Sequence, residues 1–179
     1  PRTTRTDSRV PPHNLDAEAS LLGAMLLNEE PIGLAIEQQL VPEDFYKPAH
    51  GHVFAAIKAL SQAADAVDVV TVADELRRHN LIDELGGLNF LLELQNATPS
   101  ISSAGRYIRI VRDTSILRRL IRGASDIADI GYSAPADIKI AIDKAEQIVF
   151  DIGDEQMTDS LKKLHELTGA VAQILEDRF

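Results

Sequence analysis

A chain of 179 residues with 45% apolar side chains can bury a core without covalent staples. It has no cysteine, which excludes disulfides and thiolate metal sites, and its net charge of −10 disfavours holding nucleic acid unaided, because phosphate is gripped by lysine and arginine. Apolar stretches such as Leu21–Leu27 fall far short of the roughly 20 residues that span a bilayer, and residues 1–10 lack the apolar stretch of a signal peptide. A flexible arm at 1–10, no membrane and a cytoplasmic home are therefore expected.

Apolar residues recur at spacings of three and four, and aromatics are only 4%, so the predicted fold is all-α. After Pro11-Pro12, Asn14 or Asp16 caps a helix running to about Asn28, with Leu15, Leu22, Met25 and Leu26 facing inward. Pro31 sits in the first turn of a short second helix ending near Gln39. Pro48 opens a third through Phe54, Ile57 and Leu60, and Val41 to Asp44 forms the turn between them. Thr71 and Asp74 approximate a capping box for a helix ending in Arg77-Arg78-His79, whose cations suit a helix C-terminus. Leu85-Gly86-Gly87 stops a short turn, and a helix over 89–96 ends before Pro99. A globular helical bundle over 11–100 results.

From Gly105 to Gly131 runs one long helical pattern, and Tyr132-Ser133-Ala134-Pro135 turns it into another from Ala136 to Ile152. The short connection implies a long antiparallel helical hairpin over 101–153. In its second helix Ile138, Ile142, Ala145, Val149 and Ile152 step by 4, 3, 4, 3, the spacing of a packing seam. The first carries two apolar stripes, one through Ile110, Leu117, Ile121, Ala124 and Ala128, the other through Ile116, Leu120, Ile127 and Ile130. One partner helix cannot cover both, so self-association is expected, with Ile138, Ile142, Ala145, Val149, Ile116 and Leu120 at the interface. Leu161, Leu164, Thr168, Val171 and Leu175 complete a C-terminal linker helix over 154–179, whose apolar face is expected to dock on further protein.

Some tempting sites have plainer readings. His50 and His52 stand two apart on a helix and point to different faces, so they cannot share a metal. Gly86-Gly87 follows no strand and precedes no lysine, which makes it a helix stop rather than a phosphate loop. The scattered carboxylates read as solvated surface or caps. Six of the twelve arginines lie on the long helix, at 106, 109, 112, 118, 119 and 122. Arg118, Arg119 and Arg122 form a possible charged interface, paired with acids within the hairpin or across a dimer, or facing nucleic acid or an acidic partner. Near the hairpin turn Ile121, Ile127 and Ile138 offer aliphatic contacts to a mate hairpin or a partner helix, with core as the competing role. No catalytic, cofactor or metal residue is assigned.

The run Pro12-His13-Asn14-Leu15-Asp16-Ala17-Glu18 leading into Leu22-Gly23-Ala24 resembles the opening of DnaB-type replicative helicases. Pro42-Glu43-Asp44-Phe45-Tyr46 with His50, Asp68-Val69-Val70-Thr71-Val72, Leu85-Gly86-Gly87, Tyr107-Ile108-Arg109-Ile110-Val111 and Asp143-Lys144-Ala145-Glu146 resemble the same family's amino-terminal region in the same order, over about residues 11 to 153. The resemblance implies a hexameric, ATP-driven helicase at the replication fork, whose amino-terminal domains pair through the hairpin into a collar, a trimer of dimers, that recruits primase and a helicase loader. It further implies a RecA-like motor that holds ATP, Mg²⁺ and DNA. No glycine here precedes a lysine, so the phosphate loop of such a motor is not in this sequence, and this portion is expected to be non-catalytic. A stand-alone helical adaptor, such as the helicase-binding domain of a primase, is the alternative. A small hydrolase would need a convergent nucleophile and base, which the sequence lacks.

Overall fold

In the computed structural model, which describes residues 10–153, every regular element is helical and no strand occurs among those residues. The predicted arm (1–10, save Val10) and the linker helix (154–179) lie outside them. The chain divides into two compact units within one long helix, between Arg118 and Arg119.

In the first unit, helix α1 (Leu15–Leu27) is capped by Asn14, whose side chain accepts from the Ala17 N–H at 2.9 Å. From Ala17 to Leu26 it is buried at all but one position, so it is the axis of the unit rather than an amphipathic surface helix. Leu15, expected inward, is instead 40% exposed, because it occupies the first helical turn ahead of the packed stretch. Helix α2 (Glu30–Glu37) has Pro31 in its first turn, and a 3₁₀ turn (Pro42–Asp44) leads to α3 (Pro48–Gln62). Helix α4 (Val69–Arg78) starts three residues earlier than its predicted box. Asp68 is the cap, accepting from the Val70 and Thr71 N–H groups at 2.7 and 2.9 Å, and the Thr71 hydroxyl accepts from the Asp68 N–H at 2.9 Å. An aspartate accepts two N–H bonds from a cap position, which Thr71 inside the first turn cannot match. Helix α5 (Ile82–Leu85) ends on Gly86 at φ +102°, and α6 (Gly87–Asn96) follows.

Helix α7 (Ala104–Tyr132) enters from a 3₁₀ turn (Ile101–Ser103). Its first half belongs to the first unit, since Ile108 and Val111 are fully buried there with Leu21, Leu22, Met25, Phe54, Ile57, Leu76 and Leu91. Composition breaks at Pro99, but packing carries on to Arg118. Two close approaches fix the bundle. A Cβ on Gly23 would stand 2.0 Å from the Leu94 carbonyl oxygen and 2.1 Å from Thr98 Oγ1, and one on Gly51 would stand 2.7 Å from the Pro42 carbonyl oxygen. Reciprocal hydroxyl bonds, Ser20 Oγ to the Ala97 carbonyl and Thr98 Oγ1 to the Ser20 carbonyl, seal the first of these contacts. In the second unit α7 continues to Tyr132, and α8 occupies 138–153. No helix among the described residues is long and apolar enough to cross a membrane.

Candidate functional site: the hairpin and its exposed face

The α7–α8 turn is built locally. The Ser133 N–H donates to the Asp129 carbonyl and the Ser133 hydroxyl to that of Ile130, Ala134 takes φ +44°, and the Asp137 side chain caps α8 by accepting from Lys139 and Ile140 N–H groups at 2.9 and 3.2 Å. Both helices of the hairpin are thereby bounded at the turn. Gly123 is buried where the helices meet, and a Cβ there would stand 2.9 Å from Ile148 Cγ2 and 2.8 Å from Ile152 Cδ1. Around that crossing Ile127, Ile130, Ala141, Ala145, Ile148 and Ile152 are half-buried.

A second apolar layer remains outside the seam. Helices turn about 100° per residue, so Leu120, Ala124, Ala128 and Ile121 lie on α7 at successive rotations of roughly 60 to 160° from Gly123, and Ile138, Val149 and Ile142 lie on α8 roughly 80 to 120° from Ile148. The rotation has the same sense along each chain direction. Because the helices are antiparallel with facing seams, equal senses bring both flanks to one side. There Ile138, Val149, Ile121, Ile142 and Leu120 are 63, 58, 54, 53 and 47% exposed, an aliphatic face that the described residues leave about half-bare. On the opposite side Arg119, Arg122, Asp126 and Asp151 line, together with Gly123, Ile148 and Ile152, a groove of about 300 Å³, and Ile140 is exposed nearby on α8.

The residues singled out in the sequence therefore fall into different settings. Ile138, Ile142, Val149, Leu120 and Ile121 share the exposed face. Ala145 and Ile127 are half-buried at the seam, and Ile116 is half-buried in the first unit. Arg119 and Arg122 rim the polar groove. Arg118 turns into the first unit, donating to the Pro12 carbonyl at 2.9 Å and to that of Asp44, beside the Tyr46 ring, against which His13 stacks at 4.2 Å. Arg112 likewise donates to the Gln38 carbonyl at 3.0 Å. At least two of the six arginines on α7 thus satisfy backbone oxygens inside the bundle, a role that a stripe read along the sequence does not reveal.

Sequence reasoning also missed a buried polar hub. The Glu18 carboxylate, 0% exposed, accepts from the Tyr46 N–H at 2.7 Å, the Lys47 N–H at 3.4 Å and His50 Nδ1 at 2.8 Å. Burial pushes its pKa up, but the His50 bond and the two backbone N–H bonds outweigh that and hold it below the ordinary value. Asp44, also buried, accepts from the Ser115 hydroxyl at 2.7 Å and the Val41 N–H at 3.0 Å. His50 faces this interior while His52 is exposed.

The class these elements define is an all-helical bundle whose last helix runs on into a helical hairpin with exposed aliphatic side chains. The sequence pattern described as the DnaB-like helicase N terminal domain matches residues 10–113, and the chain belongs to that family. It is 33% identical over 165 residues to the replicative DNA helicase DnaC of Bacillus subtilis (strain 168), covering 92% of this chain and 36% of that protein. To the replicative DNA helicase DnaB of Geobacillus stearothermophilus it is 35% identical over 159 residues, covering 89% and 35%. The chain thus spans about a third of the length of these relatives. Its fold matches the crystal structure of the N-terminal domain of DnaB helicase from Mycobacterium tuberculosis with a TM-score of 0.75 and 38% identity, over 79% of this chain and 99% of that one. A DnaB-like replicative helicase solved in a study of its interactions with primase shares the fold at a TM-score of 0.63 and 24% identity, over 85% of this chain and 35% of that one.

Proposed function

We propose that this chain is the assembly and docking portion of a replicative DNA helicase, in which hairpins of two copies pair through the aliphatic face of α7 and α8. Three such pairs close a hexameric ring, and the outer surfaces of the ring receive primase and the helicase loader. ATP, Mg²⁺ and DNA are handled by a RecA-like motor in the part of such a protein that this chain does not match. The contribution of the chain is non-covalent: it sets which subunits meet and what docks on them.

The observation that carries this reading is the exposure of Leu120, Ile121, Ile138, Ile142 and Val149 on one side of the hairpin. Aliphatic side chains already half-covered gain on the order of 1 kcal/mol each on full burial, and several acting together offset the cost of association. Among the described residues, the opposite side sets only Ile140 beside its charged groups. Family membership supports the helicase assignment, and the solved helicase studied with primase supports the choice of partner.

Sedimentation of the full chain over a concentration series tests the reading. Wild-type protein is expected to form dimers or larger closed species. An Ile121→Ala, Ile138→Ala, Ile142→Ala variant is expected to dissociate to monomer with an unchanged far-ultraviolet spectrum, and to lose binding to a primase titrated against it. A wild-type monomer at every concentration, or a variant that assembles as the wild type does, overturns the proposal.

A further inference from the structure

A glycine in the middle of a helix costs helical stability relative to alanine, so its presence calls for a packing reason. Helix α7 holds three, Gly105 and Gly131 at its ends and Gly123 in its interior, and they are not equivalent. Open space surrounds the Cβ position at Gly105 and Gly131, whereas at Gly123 that position is already taken by Ile148 Cγ2 and Ile152 Cδ1 from α8. The two isoleucines occupy the volume that a side chain at 123 would fill. Interhelical separation follows the side chains at the crossing. The missing Cβ is therefore what lets Ile148 Cγ2 and Ile152 Cδ1 reach the α7 backbone, and with a Cβ present either these side chains or α8 itself must shift.

We infer that Gly123 is the positioning residue of the docking face: by drawing α8 onto α7 it sets the spacing between the Leu120/Ile121 stripe and the Ile138/Ile142/Val149 stripe. Neither stripe contains Gly123, so it acts on the face through the seam. A mate hairpin buries both stripes at once only if they stand at one fixed separation, and interfaces of this kind tolerate added volume as poorly as a core does. The inference rests on the self-association proposed above, but its geometric part stands apart from it. The colliding atoms are specific. Replacing Ile152 by Val deletes Cδ1, and replacing Ile148 by Leu deletes Cγ2, so each contact can be relieved by one conservative change.

The test uses the full chain, which has no cysteine of its own, with cysteines introduced at exposed Arg122 and Asp151 to carry spin labels. Pulsed dipolar spectroscopy reads the label separation, and sedimentation of unlabelled protein reads association. Gly123→Ala is expected to lengthen the separation and weaken association about tenfold, the scale of a modest overpacking defect. Adding Ile148→Leu and Ile152→Val is expected to restore both. Gly105→Ala, which adds the same methyl to the same helix in open space, controls for the added methyl and is expected to change neither. If Gly123→Ala leaves the separation unchanged, or if the relieved triple variant fails to recover, the inference is wrong. A wild-type monomer sinks the self-association reading instead, and the label separations in Gly123→Ala and in the relieved variant then decide the geometric part by themselves.

Discussion

Glu18 lies only two residues from Asp16, yet it is fully buried and surrounded by donors. A buried ion is tolerated when its lone pairs are satisfied, and removing such a group leaves its donors stranded. Because hydrogen bonding holds the native pKa of Glu18 below its ordinary value of 4.5, its stabilisation is complete above that value and is lost as pH falls through the lower native one. Glu18→Gln is expected to cost on the order of 2 to 3 kcal/mol in urea unfolding at pH 7, a gap that narrows toward pH 3. An equal gap at both pH values would refute the account. Gly23 makes the complementary case for shape. Its would-be Cβ meets a carbonyl oxygen, which cannot rotate aside, so Gly23→Ala is expected to destabilise the first unit by about 3 kcal/mol or more in the same assay. Neither role could be read locally: the partner His50 of Glu18 lies 32 residues away, and a glycine at 23 looks like any glycine inside a helical pattern.

At the level of elements, helix existence was legible because apolar spacing, prolines and Asx caps act within a few residues. Helix ends were less so. A search for glycine finds a stop only at Gly86, but α2, α3 and α4 all end without one. Gln39, Ala64 and Asn80 take φ of 57 to 58°. The next residue in each case donates back to the third-last helical carbonyl, Leu40 to Ala35, Asp65 to Leu60 and Leu81 to Leu76. Burial of Leu40 and partial burial of Leu81 after the cap offset the left-handed strain, a tertiary reward that no local rule contains. Ala64 has the least compensation, being an exposed alanine followed by an exposed aspartate. Ala64→Gly is expected to raise stability by roughly 1 kcal/mol, read as a higher thermal midpoint, since glycine adopts this conformation without the Cβ clash. An unchanged or lowered midpoint would mean the strain is absent.

For the whole molecule, the sequence disclosed that apolar surface exceeded what one hairpin could cover, but it could not assign stripes to sides. The predicted seam on α8 merged two layers. Ala145 and Ile152 face α7, while Ile138, Ile142 and Val149 look out, a distinction that depends on where α7 lies. The two units consequently differ in what completes them. The first closes its own core, with Leu21, Leu22, Phe54 and Ile57 inaccessible, whereas in the described part of the second Leu120, Ile121, Ile138, Ile142 and Val149 stay about half-exposed. Binding stabilises only what it touches, by an amount that grows with the concentration of the partner. Hydrogen exchange measured at low and high protein concentration is therefore expected to slow at α8 amides, by about tenfold for each 1.4 kcal/mol gained, while α1 amides keep one rate set by the first unit alone. Equal slowing in α1 and α8 would mean that association stabilises the chain as one body. No slowing in either, in protein that does self-associate, would place the contact elsewhere than on this hairpin.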